Sequence, residues 1–140
     1  SEPVRYLLSE VEAWPVFVSE ESVVVVGMSR SALIGVDGRA LLSDLPGWKS
    51  CHVRVTPSRG GRRMAITEES YSGHWSLLKA ERITVHGVEK GEPIWTVKHT
   101  LMKGAFFGHS GIALSPNGSL LAINSYGIVT LYRLPEPKAS

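Results

Sequence analysis

The stretch GIALSPNGSLLAIN, from Gly111 to Asn124, decides how the rest of the chain is read. Ile112 and Leu114 alternate with small residues, a polar Ser115-Pro116-Asn117-Gly118 segment follows, and an apolar run resumes from Leu120 to Ile123. Alternation with a period of two marks a strand with one buried face. Pro116 presets φ, while Asn117 and Gly118 tolerate the positive φ that a tight hairpin needs. The stretch predicts two antiparallel strands joined by a short turn.

Two further segments share this plan. In the middle the chain reads HVRVTPSRGGRRMAIT, from His52 to Thr67, and near the start PVFVSEESVVVVG, from Pro15 to Gly27. Aligned on composition, Val53 and Val55 match Ile112 and Leu114, Thr56-Pro57 match Ser115-Pro116, and Met64-Ala65-Ile66 match Leu121-Ala122-Ile123. In the first copy Val16, Val18 and Ser19 take these places, with Glu20 instead of proline. Counted from Val16, Val53 and Ile112 the spacings are 37 and 59, the first near a blade-sized repeat of about 40–45 residues. A third strand follows: Arg82 to Val88 resembles Ile128 to Leu134 in its alternation. Fourth strands are expected at Arg39–Asp44 and Ile94–Lys98, and Val23 to Val26, apolar on both faces, suits an inner strand. Val4–Leu8 is a candidate stray outer strand. The best helical candidate, Ser76 to Arg82, is at most one or two turns, so an all-β chain is expected.

In its last unit the chain resembles a WD-repeat blade. The matching residues are Gly108-His109, Ile112 to Pro116, Asn117-Gly118, Leu120 to Ile123, Gly127, and Val129 to Leu134. It departs from that family at Tyr132-Arg133, where Trp-Asp is usual, and in having no Asp just before Gly127, so the family's His-Asp network has no counterpart. The resemblance implies a divergent β-propeller relative built of four-stranded antiparallel blades. It divides a single domain of residues 1–140 into blades at 13–45, 50–98 and 108–135, with residues 3–9 outside them. Propellers close with four to eight blades. About three blades therefore imply an open partial propeller, part of a larger one, or a homodimer closing a six-bladed ring.

Composition excludes several classes. Apolar residues at 43% and charged residues at 20% fit a soluble globular domain. Lys and Arg number 15 against 13 Asp and Glu; that net +2 is too balanced to point to a nucleic acid or a membrane. No apolar run nears the ~20 residues of a spanning helix, and Glu2, Glu10 and Glu12 interrupt any signal-like core. Cys51, the only cysteine, cannot form an internal disulfide. Compartment stays open, with a cytoplasmic one slightly favoured by the lone thiol.

Long connections inside compact domains carry function more often than short ones. Two stand out. Glu68 to Glu81 carries Tyr71, His74 and Trp75 between a second and a third strand, and Lys98 to His109 carries Met102, Phe106 and Phe107 between units. Tyr71, His74, Trp75, Phe106 and Phe107 are the candidate partner-binding residues, the alternative being that they tuck between blades. The basic run Lys49 to Arg63 reads as a solvated face, with Arg54 and Arg63 pointing to solvent. His52, His74, His86, His99 and His109 show no ligand spacing, so no metal is expected, and His86 reads as structural. The sequence has no Gly-x-Ser-x-Gly elbow and no phosphate-binding loop, and Cys51 and His52, as strand neighbours, point apart. No cofactor and no catalytic residue are expected. The function expected is a non-catalytic module binding protein or peptide partners through blade-end loops. The alternative is the C-terminal part of a propeller enzyme, a hydrolase or oxidoreductase, with its active-site residues mostly on other blades.

Overall fold

The structure, a computed structural model, describes residues 13–27, 31–43, 53–72, 77–100, 111–125 and 127–136. Among these the chain is all β, folded as three small antiparallel sheets in chain order. The first sheet runs β1 (Ala13–Phe17), β2 (Ser22–Gly27), β3 (Ser31–Gly35), β4 (Ala40–Ser43). The middle sheet runs β5 (Val53–Pro57), β6 (Arg63–Ser72), β7 (Leu77–Gly87), β8 (Pro93–Thr100). The last holds β9 (Gly111–Leu114), β10 (Leu120–Ser125) and β11 (Ile128–Arg133), three strands where four were expected. Each sheet is a meander, so every strand pairs with its neighbour in sequence.

The three sheets share one main-chain frame. The residue leaving the third strand donates its N–H to the turn residue before the second: Val36 to Glu21, Val88 to Arg62, Leu134 to Ser119. The residue leaving the first strand donates to the start of the second: Val18 to Ser22, Ser58 to Arg63, Ser115 to Leu120. Gly61 and Gly118 hold the same turn position with φ of 73° and 74°. This frame corrects the sequence alignment of the first strands. Val55 pairs with Ile66 as Ile112 pairs with Ile123, so Val55, not Val53, is the counterpart of Ile112. The error is two residues, which preserves the face of every side chain and so left the alternation intact.

The long Glu68–Glu81 connection is also corrected. β6 and β7 continue through it as one ladder, Glu68 opposite Arg82, Ser70 opposite Ala80, and, past a register shift, Ser72 opposite Leu77. The segment expected to form a loop and a short helix is a hairpin arm. Its residues alternate well enough for a strand, but Ser-Gly-His-Trp at 72–75 reads as a break in any linear scan.

The core lies between the sheets. One face of the middle sheet lays Met64 and Ile66, with Val55 and Val88, against Val18, Val24, Val26 and Leu33 of the first. The other lays Ala65, Ile83 and Val85 against Leu121, Ile123 and Leu134, flanked by Trp95, Val97, Ile112, Leu114 and Tyr132. Trp95 and Tyr132 meet with ring centroids 5.0 Å apart and tilted by 51°, a favourable aromatic geometry. Because Leu121 and Ile123 match Met64 and Ile66 in the frame, both junctions use equivalent faces. The sheets stack head to tail.

One end of the stack is stitched by its turns. Gly60 N–H donates to Pro116 O at 2.7 Å, and a Cβ at Gly60 would lie 2.5 Å from that oxygen. On the other side Gly61 abuts Ser19, where a Cβ would come within 3.0 Å of the serine Cβ. Glycine is required at both positions because backbone, not a flexible side chain, fills the space. Arg63 completes the junction and corrects the expectation that it faces solvent: it is 2% exposed. Its guanidinium donates to Gly118 O at 2.9 Å and to Pro135 O. Its stem covers Gly118, where a Cβ would lie 2.9 Å from Arg63 Cδ. Arg54, half-buried, does not stand clear into solvent either.

Arg63→Ala strips two main-chain acceptors of a charged donor at the middle–last junction. Thermal or urea unfolding is expected to show a loss of ~2–4 kcal/mol, whereas Arg62→Ala, at an exposed neighbouring position, stays within ~0.5 kcal/mol.

Candidate functional site

Where the first sheet stops covering the middle one, the same face continues as an open groove of about 490 Å³ over β6, β7 and β8. Glu68, Arg82, Thr84, His86, Pro93, Ile94, Trp95 and Thr96 line it. Pleating explains the set. Glu68 lies opposite Arg82, and Thr84 opposite both Ile66 and Thr96, so these side chains share the face that carries Met64 and Ile66. Towards the first sheet that face is aliphatic; past the sheet's reach it is polar.

Each polar group in the groove has a defined partner. Arg82 binds Glu68 bidentately, Nε to Oε1 at 3.1 Å and a terminal nitrogen to Oε2 at 2.8 Å. The hydrogen bond and the charge of Glu68 raise the Arg82 pKa, so the guanidinium stays protonated. Since Arg82 is half exposed, the pair adds only ~0.2–1 kcal/mol. Thr96 donates to Ile83 O at 3.2 Å, so the Thr84 hydroxyl supplies the proton in the 3.1 Å Thr84–Thr96 contact. His86, 3% exposed, has Nδ1 2.9 Å from Gly91 O. A carbonyl accepts, so Nδ1 carries the proton, and the neutral ring keeps Nε2 as an acceptor. Burial lowers the His86 pKa against the opposing pull of the Gly91 carbonyl, Glu68 and Glu92. The groove therefore offers a paired charge, a hydroxyl ladder and a neutral imidazole, a set suited to hydrogen-bonded recognition.

The candidate residues read from the sequence do not line this groove. Tyr71 lies on β6 opposite Leu78, just past the shift at Ser70/Tyr71, and its side chain is outside the described residues. His74, Trp75, Phe106 and Phe107 also lie outside them, as do Cys51 and His52. Strand directions still order their neighbours. The turns at Ser58–Arg62 and Ser115–Ser119 meet at one end of the stack, so β6 ends, β7 begins, β8 ends and β9 begins at the other. His86 sits where Tyr132 sits in the last sheet, opposite Met64 as Tyr132 is opposite Leu121. Sequence reading missed Arg82, Thr84 and Thr96; their signal is the alternation of polar residues with Ile83, Val85 and Val97. Among the described residues no group of three or more His, Cys, Asp or Glu is placed to hold a metal, and no helix is long and apolar enough to cross a membrane.

No protein-family model matches the chain, and a search of curated proteins finds no significant match. Among solved structures it is similar to a crystal structure of a eukaryotic initiation factor, at 14% identity with a TM-score of 0.62. The match covers 95% of this chain and 32% of that one, so the chain spans about a third of that protein's length. The likeness bears on the fold alone, and there it agrees with an all-β chain of small antiparallel sheets.

His86 makes stability depend on pH. Its folded pKa lies below the unfolded value of about 6.5, so the unfolded chain binds the extra proton first. Stability is full above about pH 6.5 and falls as pH drops through the folded pKa. Urea unfolding between pH 5 and 7.5 should show this slope, and His86→Asn, which keeps a donor near Gly91 O, should flatten it.

Proposed function

We propose that the chain is a run of three propeller-type blades, part of a closed ring or longer array, that binds protein or peptide partners without catalysis. The partner meets loops at one end of the stack, and Tyr71, His74, Trp75, Phe106 and Phe107 supply its contacts.

The observation that carries this reading is the difference between the two ends. At one, turns of near-identical geometry nest on Gly60, Gly61 and Pro116 and leave little freedom. At the other lie the ends of β6, β7, β8 and β9, the strands that flank residues 73–76 and 101–110. A rigid stack presenting divergent connections at one end is how scaffolds commonly display recognition loops. Equivalent frames in all three sheets, head-to-tail packing and the likeness to a much longer all-β chain support the blade reading. The groove over β7 and β8, whose groups are engaged with one another, supports recognition rather than bond-breaking chemistry.

Peptides selected against the chain from a displayed random library test this. Their binding should fall at least ~10-fold in a Trp75→Ala chain and in a Phe106→Ala/Phe107→Ala chain, with unfolding midpoints close to wild type. Equal binding by these variants, or unfolding of the double variant, speaks against loop recognition.

A further inference from the structure

The last sheet ends one strand early. In the frame β11 is the counterpart of β3 and β7, because Leu134, Val36 and Val88 donate to equivalent turn residues. β3 pairs onward with β4 and β7 with β8, but among the described residues no strand pairs with the far side of β11. Its side chains register the difference. Leu131 lies opposite Ala122 and Val129 opposite Asn124, as Val85 lies opposite Ala65 and Ile83 opposite Thr67. Ile83 and Val85 are wholly buried, whereas Val129 is 62% and Leu131 67% exposed.

The main chain is equally open. Gly87 N–H points to β8, where it donates to Glu92 O, and Val88 N–H points back to β6. Successive residues of a strand alternate in this respect. Since Leu134 N–H points back to the β10 side, the N–H and C=O groups of Val129, Leu131 and Arg133 face the open edge. Unpaired polar groups flanked by exposed aliphatic side chains are a template for strand addition.

We infer that the β11 edge binds an extended segment of a partner polypeptide, antiparallel and apolar at alternate residues. β8 shows what fits: Trp95 lies opposite Val85 and Val97 opposite Ile83, both partly buried on the inter-sheet core. A single strand is the occupant because β4 and β8 each add one strand and end their sheets; edge-to-edge pairing with a second copy would bring a whole sheet to that place. This inference goes beyond loop recognition and stands without it, since it uses no residue from 71–75 or 106–107.

The test is titration of the isotopically labelled full chain with a synthetic peptide of the sequence Pro93–Thr100. Amide signals of Val129, Leu131 and Arg133 should shift and their exchange slow. Binding should weaken by at least ~10-fold in Leu131→Asp and also in Leu131→Pro, which removes one edge-facing N–H and leaves the β10 ladder intact. A peptide with aspartate in place of its Trp and Val should not bind. Shifts centred on Val85 and Gly87 (displacement of β8), absence of binding at millimolar peptide, or a dimer protecting the same three amides without peptide would overturn the inference.

Discussion

Burial of the middle sheet on both faces is the constraint on which the rest depends. A sheet of four short strands is marginal in water, because it can hide only one face by itself at best. Here Met64 and Ile66 are covered by the first sheet and Ala65, Ile83 and Val85 by the last, all five wholly buried. At ~1.5–3 kcal/mol for each fully buried large aliphatic side chain, these two junctions are the principal favourable term. The outer sheets depend on the middle one in turn, since each has a single covered junction among the described residues. Head-to-tail packing follows: a face that offers Met64 and Ile66 to one neighbour is repeated as Leu121 and Ile123 toward the next.

The polar contacts fix how far this packing can slide. Gly60 against Pro116 and Gly61 against Ser19 leave no room for a side chain, so the turns index the sheets to one another. Arg63 locks the second junction by joining the middle sheet to Gly118 and Pro135. Its charge is removed from water but met by main-chain carbonyls, which makes it a positional device more than a source of net stability. With one end held in this way, divergence in sequence and length is accommodated at the opposite end. His86 shows the same economy within a sheet: its ring is tied to the β7–β8 turn through Gly91 and fills the place that Tyr132 fills in the last sheet.

Much of the fold was legible because alternation survives small errors. Val23 to Val26, Met64 to Ile66 and Leu121 to Ile123 announce inner strands by composition alone, and β4 and β8 fall where Arg39–Asp44 and Ile94–Lys98 suggested. The first-strand register was not legible, because Thr56-Pro57 imitates Ser115-Pro116 while the true counterpart of Ser115 is Ser58. The hairpin arm was missed because its pairing is cross-strand and no single segment contains it. Arg63 was missed for a similar reason: a basic residue in a basic run reads as solvated until the carbonyls of a distant turn are brought to it. Of the groove, only His86 was singled out, and then as structural; Arg82, Thr84 and Thr96 take on meaning only once β6, β7 and β8 lie side by side. The missing fourth strand of the last sheet is likewise visible only by comparison with the other two.

Native-state amide hydrogen exchange tests the stacked-sheet claim most directly, because it reads the stability of each strand separately. If the middle sheet is the element that both neighbours shield, the amides of Met64, Ala65, Ile66, Val85 and Val88 exchange slowest, through global unfolding. The first and last sheets then open at lower free energy, with the edge-facing amides of β11 among the fastest strand positions. Slowest exchange in the first or the last sheet, with β6 and β7 opening ahead of them, would contradict it.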